Sequence, residues 1–151
     1  IAMSTAREML EIKGDEVWSI LASQSVYEAV ALMADKEVGA LMVVNDQARL
    51  MGIISERDYS RKVILKNKSS RETLVADIMT RNVIQVGLAT TADTCMTLMS
   101  QKKIRHLPVV EDSIPQGMIT VGDLLKFIIQ DQEMTIEELQ SYIHGETGGE
   151  A

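Results

Sequence analysis

The chain repeats itself, and this constrains its fold more than any other feature. Displaced by 66 positions, Leu32-Met33 falls on Leu98-Met99, Lys36 on Lys102, Asp46 on Asp112, and Leu41-Met42-Val43-Val44 on Leu107-Pro108-Val109-Val110. At a displacement of 65, Gly52-Ile53-Ile54-Ser55-Glu56-Arg57-Asp58 falls on Gly117-Met118-Ile119-Thr120-Val121-Gly122-Asp123. A glycine, an apolar pair, a hydroxyl and an aspartate recur in the same order, which marks a tandem repeat of about 60 residues. Whatever one copy folds into, the chain builds twice.

Each copy has the same local pattern. An apolar segment (Val17 to Leu21; Val83 to Val86) reads as a strand. Ser25 then precedes Val26, Val30 and Met33 at i, i+4 and i+7, and Ser25 with Glu28 has capping-box spacing, so a helix starts there. The stretch after Thr91 places Cys95, Met96 and Met99 likewise. Leu41–Val44 and Leu50–Ile54, parted by Asn45-Asp46-Gln47, read as a hairpin. Ser55 and Thr120 open second helices, Glu56–Lys66 and Val121–Gln130. The order strand, helix, strand, strand, helix, taken twice, is α+β. Outside the repeats, Thr5–Ile12 reads as a helix closed by Gly14, Asn67–Glu72 as a linker to Leu74–Met79, and Thr135–His144 as a helix stopped by Gly145, with a disordered tail after it. The expected divisions are a lead-in over 1–14, repeats over 15–68 and 69–131, and an acidic helix and tail over 132–151.

Composition narrows function. Of the net charge of −7, six acids and no Lys or Arg lie in residues 131–151, so the first 130 residues hold 16 acids against all 15 bases. No basic excess marks a nucleic-acid surface, and aromatics at 3% are few for base stacking. No apolar run approaches the ~20 residues of a membrane helix, and no signal-peptide pattern opens the chain. One cysteine, Cys95, suits a reducing compartment and points to the cytoplasm; with only His106 and His144 beside it, no zinc cluster is indicated. No nucleophile and base stand at catalytic spacing, so an enzyme is not expected. Cys95 reads as a buried, inert thiol. Two basic clusters, Arg57 to Arg71 and Lys102 to Arg105, are the places where an anion would be welcome.

The repeated Gly-x-x-Ser/Thr-x-x-Asp unit admits two accounts. In one, Ser55 and Thr120 cap their helices while Asp58 and Asp123 complement the helix dipole. In the other, the free N–H groups of a helix start receive a phosphate and the carboxylate grips vicinal ribose hydroxyls. Spacing alone leaves both open.

These residues carry a resemblance. Val38-Gly39-Ala40-Leu41-Met42-Val43-Val44 with Gly52-Ile53-Ile54-Ser55-Glu56-Arg57-Asp58-Tyr59, and Ile104-Arg105-His106-Leu107-Pro108-Val109-Val110 with Gly117-Met118-Ile119-Thr120-Val121-Gly122-Asp123-Leu124, resemble a tandem pair of CBS (cystathionine-β-synthase) domains, or Bateman module. Asp77-Ile78-Met79-Thr80 resembles the segment often found ahead of such a repeat. The likeness spans roughly residues 10–130 and is similar to the small stand-alone bacterial pairs. It implies two β-α-β-β-α units packed through their sheets about a pseudo-twofold, with regulatory binding of AMP, ADP, ATP or NAD(H) in two composite clefts. One cleft would use Thr120 and Asp123, flanked by Glu16-Val17-Trp18 and Val38-Gly39, with Arg105 near the phosphate; His106 is a further nucleotide-binding candidate. The other would use Ser55 and Asp58, with Thr80, Asn82 and Val83 near the base, Gly39-Ala40 opposite and Arg57 as a phosphate partner. Such a module signals to an unknown protein target. A homodimer is expected, paired through the Val26/Val30/Met33 and Cys95/Met96/Met99 helix faces. The alternative is a structural or dimerising module with empty clefts. Two departures stand out: Ala22-Ser23 and Gly87-Leu88 occupy positions where a proline often precedes the first helix, and Pro108, unable to donate to a ladder, belongs at a strand start or an edge.

Overall fold

Short-range signals set the helix starts. In the computed structural model, which describes residues 4–14 and 16–132, Thr5 caps α1 (Ala6–Lys13) through a reciprocal bond with Glu8, and Gly14 closes it at φ 104°. Ser25 and Glu28 form the same box ahead of α2 (Val26–Lys36), and Thr91 caps α5 (Ala92–Lys102) by accepting from the Thr94 amide. Satisfying these otherwise orphaned donors is what stops the helices fraying. The expected helix Thr135–His144 and the tail after it lie outside the described residues.

The first repeat contains β1 (Ser19–Leu21), α2, β2 (Ala40–Val44), β3 (Leu50–Ser55) and α3 (Glu56–Tyr59). β1 runs parallel to β2 and β2 antiparallel to β3, in the order β1-β2-β3. The second repeat follows the short α4 (Val75–Ile78) with α5, β4 (His106–Glu111), β5 (Ile114–Thr120) and α6 (Val121–Gln132). Both hairpins carry an irregularity at equivalent places, Val43/Val44 and Val109/Val110.

Two expected elements come out differently. Instead of a continuous helix over Glu56–Lys66, α3 passes into a π-helical turn at Ser60–Ile64, where the Leu65 amide donates to the Ser60 carbonyl at 3.0 Å. Ser60 Oγ donates to the Glu56 carbonyl there, the kind of side-chain competition that loosens a ladder. The expected strand Val83–Val86 is reduced to one bridge, Val86 to Val109. Pro108 explains this. In the first repeat the Met42 amide donates to the Trp18 carbonyl at 3.2 Å, and the counterparts 66 positions on are Pro108, which has no N–H, and Ile84. The Pro108 carbonyl accepts from the Val86 amide at 3.0 Å, so its ring nitrogen also faces away from β5. Pro108 thus lies inside β4 but on its weakly paired side.

Each lead-in segment packs on the other repeat. Ala6, Met9 and Leu10 of α1 lie in a core with Cys95, Met99, Leu107, Ile119 and Phe127, whereas Val75, Ile78 and Met79 lie in a core with Val26, Met33, Leu41, Ile54 and Val63. The backbone registers match. The Ala6 and Arg7 amides donate to the Thr90 and Leu88 carbonyls, as those of Val75 and Ala76 donate to Gln24 and Ala22. The acceptors are 66 positions apart and the donors 69, so the two halves are related by a pseudo-twofold. The Leu50 amide donates to the Ser113 carbonyl at 2.8 Å, joining the two hairpins directly. β2 is buried at all five positions, covered on both faces.

The helix faces expected to pair two chains are largely taken up within one, although Val30 is only half-buried. Val26 and Met33, and Cys95 and Met99, are buried in the chain's own cores, because the amphipathic period of α2 and α5 is satisfied by their own sheets. Met96 of α5 stays exposed, and a longer exposed apolar strip runs over Val121, Leu125 and Ile129 of α6, with Ile64 and Leu65 at the matching end of the first repeat.

Candidate functional site

A cavity of about 990 Å³ opens between the repeats. β3 and the start of α3 bring Ser55, Arg57 and Asp58 to it, with Arg61 one turn further on. The segment after α4 brings Thr80, Asn82, Val83 and Ile84, and Gly39 enters from the turn before β2. The second repeat contributes Lys103, Ile104, Arg105 and His106 from the approach to β4, and Thr120, Val121 and Gly122 from the start of α6. Four permanent cations thus face two carboxylates, Glu56 and Asp58. A surface of this sign, with guanidinium forks and two helix starts, suits an anion such as a phosphate.

The hydroxyl–aspartate units are capping boxes in both repeats. The Ser55 amide donates to Asp58 Oδ2 at 3.0 Å and the Asp58 amide to Ser55 Oγ at 3.1 Å. In the second repeat the Thr120 amide donates to Asp123 Oδ2 at 2.8 Å and the Asp123 amide to Thr120 Oγ1 at 3.1 Å. The carboxylates then diverge. Asp58, 8% exposed, also accepts from Thr80 Oγ1 at 3.1 Å and pairs with Lys62 Nζ at 3.0 Å. Asp123 pairs with Lys13 Nζ of α1 at 2.6 Å, and Lys13 also donates to the Met118 carbonyl. Burial works to raise the Asp123 carboxyl, but Lys13 and the Thr120 amide outweigh it and hold the group below its ordinary value. His106 is held below its ordinary value by burial, with Lys13 and Arg105 adding to the effect.

The grouping of residues differs from that expected. Gly39, Ser55, Arg57, Asp58, Thr80, Asn82 and Val83 line this cavity together, but Arg105 and Thr120, assigned to the opposite cleft, line it as well, as does His106. Both hairpins turn the ends that carry these residues toward the junction, since His106 pairs with Thr120 in register. Asp123 lines instead a cavity of about 240 Å³ with Met9, Ile12, Lys13, Ile119, Lys126 and Phe127. Trp18 and Val38 pack against the first repeat's core, with Lys36 Nζ 4.5 Å from the Trp18 ring centroid, and Ala40 is buried in β2 opposite Ser55. Glu16 is exposed and Val17 half-buried; neither lines the large cavity. Arg61 and Lys103, which belong to the two basic clusters read from the sequence, also line it, as do Glu56 and Ile84, which had no expected role. Among the described residues no group of three or more His, Cys, Asp or Glu is placed to hold a metal ion. No described helix is long and apolar enough to cross a membrane.

Comparison with known proteins agrees with this architecture. The CBS domain model matches residues 11–64 and 75–130. The mitochondrial CBS domain-containing protein CBSX3 of Arabidopsis thaliana is 37% identical over 150 residues, spanning 94% of this chain and 73% of that protein. The CBS domain structure of NE2398 superposes with a TM-score of 0.78 at 41% identity, covering 83% of this chain and 98% of that one. The CBS domain pair of MJ0100, solved with 5'-methylthioadenosine and S-adenosyl-L-methionine, superposes with a TM-score of 0.75 at 25% identity over 85% of this chain and 98% of that one. With two matched repeats and this coverage, the chain belongs to the CBS domain family as a tandem pair.

Proposed function

We propose that this CBS pair is a non-catalytic regulatory module that binds an adenosine-containing nucleotide (AMP, ADP, ATP or NAD(H)) in the inter-repeat cavity and passes its state to a protein partner. The observation that carries the reading is the cavity itself. Its volume of about 990 Å³ is ample for a nucleotide, both repeats line it, and Arg57, Arg61, Lys103 and Arg105 set its charge. The adenosine compounds held by the MJ0100 pair support the same ligand class. Arg57 and Arg105 serve the phosphates, Ser55 and Thr120 present helix starts, and Thr80, Asn82 and Val83 flank the base. Repeat units over 15–68 and 69–131 and a reducing, cytoplasmic setting complete the reading. Calorimetric titration with AMP, ADP, ATP and NADH, on wild type and Arg57→Ala/Arg105→Ala, tests it. Binding weakened at least tenfold by the double substitution is the expected result, and heat-silent titrations with all four nucleotides would refute it.

A second reading has one observation in its favour. Ser55, Thr80 and Lys62 already engage the Asp58 carboxylate, so a ribose must displace a resident donor. A structural module with an empty cavity would show this arrangement and no nucleotide binding. Either module is proposed to form a homodimer, through α6 and the π-helical turn rather than α2 and α5. Ile64 and Ile129 are equivalent at a displacement of 65, so the exposed strip is self-complementary under a twofold. Light scattering of Leu125→Glu should then give monomer mass where wild type gives dimer; a monomeric wild type would refute the dimer.

A further inference from the structure

The two repeat-equivalent carboxylates have unlike surroundings. Asp58 opens onto the cavity of about 990 Å³, whereas Asp123 lines one of about 240 Å³, below the roughly 300 Å³ at which small-molecule sites begin. The difference comes from the lead-in segments. At the 69-position displacement that relates them, Asn82, which lines the large cavity, corresponds to Lys13, which reaches Asp123 Oδ2 at 2.6 Å. We propose that Lys13 closes the second site, so that the chain takes one nucleotide rather than two; this rests on the nucleotide reading above.

Lys13 is not a loose surface lysine. Its helix is fastened by three buried side chains, Ala6, Met9 and Leu10, and by backbone bonds to Leu88 and Thr90. Leu10 crosses β5 over Gly117, where an added Cβ would stand 2.6 Å from Leu10 Cδ2. The ammonium also donates to the Met118 carbonyl, giving it two acceptors, one on β5 and one on α6. Held below its ordinary value, Asp123 stays ionised at neutral pH and keeps the pair intact. Lys62 is tethered too, donating to the Ile78 carbonyl at 3.0 Å, but it arises one turn along from Asp58 on the same helical stretch and leaves Asp58 facing the open cavity. A nucleotide entering at Asp123 must displace an ammonium set there by the opposite end of the chain.

Native mass spectrometry and calorimetry with ADP, on the full chain, test this. Wild type is expected to saturate with one ADP, and Lys13→Ala and Lys13→Met with two. The Met variant keeps the aliphatic stem, so it tests the charge even if the Ala variant loses α1 packing. Lys13→Met/Asp58→Ala should bind one ADP, now at Asp123. Two ADP per wild-type chain, or one in a folded Lys13→Met, would overturn the proposal. No ADP bound by any variant would instead overturn the nucleotide reading, and this inference with it.

Discussion

Gly52→Ala puts a methyl group where the chain's own backbone already lies. The added Cβ would stand 2.5 Å from the Thr80 carbonyl oxygen and 3.1 Å from Met79 Sδ. Thr80 cannot simply yield, because it exchanges two backbone bonds with Ile53, at 2.8 and 3.0 Å. Overpacking costs about 1–3 kcal/mol, and each lost backbone bond about 0.5–1.5 kcal/mol. The expected destabilisation is about 2–6 kcal/mol. At about 3 °C per kcal/mol for a chain of this size, Tm should fall by roughly 6–18 °C. Trp18, the only tryptophan, packs on the first repeat's core, so its fluorescence in a urea titration reports unfolding where the damage is made. Two further glycines calibrate the result. At Gly117 the close atoms belong to the flexible end of Leu10, so Gly117→Ala should cost less; at Gly39 the nearest atom, Glu56 Oε1, is 3.4 Å away, so Gly39→Ala should be near neutral. A Gly52→Ala protein melting within 2 °C (about 1 kcal/mol or less) of wild type would refute the steric argument. So would a Gly117→Ala protein less stable than Gly52→Ala.

Further expectations follow from the site. Asp58→Ala removes a capping box and the ties to Thr80 and Lys62, and should lower stability by about 1–3 kcal/mol in urea titrations as well as weakening nucleotide binding. An unchanged midpoint would contradict the capping geometry. His106 is depressed in the folded chain, so the unfolded chain takes up its proton first. Stability should therefore decline as pH falls from 7 through the ordinary histidine value of about 6.5 and level off below the folded value, and His106→Gln should flatten that slope. Equal slopes for the two proteins between pH 7 and 5.5 would count against it. Burial pushes the Cys95 thiol up to about 11, so it should resist an aromatic disulfide reagent in the native chain and react promptly in 6 M urea. Rapid native labelling would show that α5 opens readily.

The sequence by itself determined what depends on neighbours a few residues away. Ser25 with Glu28, the Ser55 and Thr120 helix starts and the two hairpins were legible because caps and turns are made within three to five residues, and repetition gave each signal a second reading. The missing strand ahead of α5 was in principle legible too, from Pro108 standing where Met42 donates its amide. The residues of the cavity were recognisable one by one, yet their grouping was not. Arg105, His106 and Thr120 join Ser55 and Asp58 only because the repeats meet through their hairpin ends. Tertiary structure alone decided that α1 docks on the second repeat and α4 on the first, since that exchange joins residues more than 80 positions apart or across a repeat junction. It also buried Val26 and Met33 of α2 and Cys95 and Met99 of α5, which a linear reading left free. Most of all it separated Asp58 from Asp123. The two motifs are equivalent in the chain, but Lys13 is 110 residues from Asp123, and no local pattern reports a contact made by packing a remote helix.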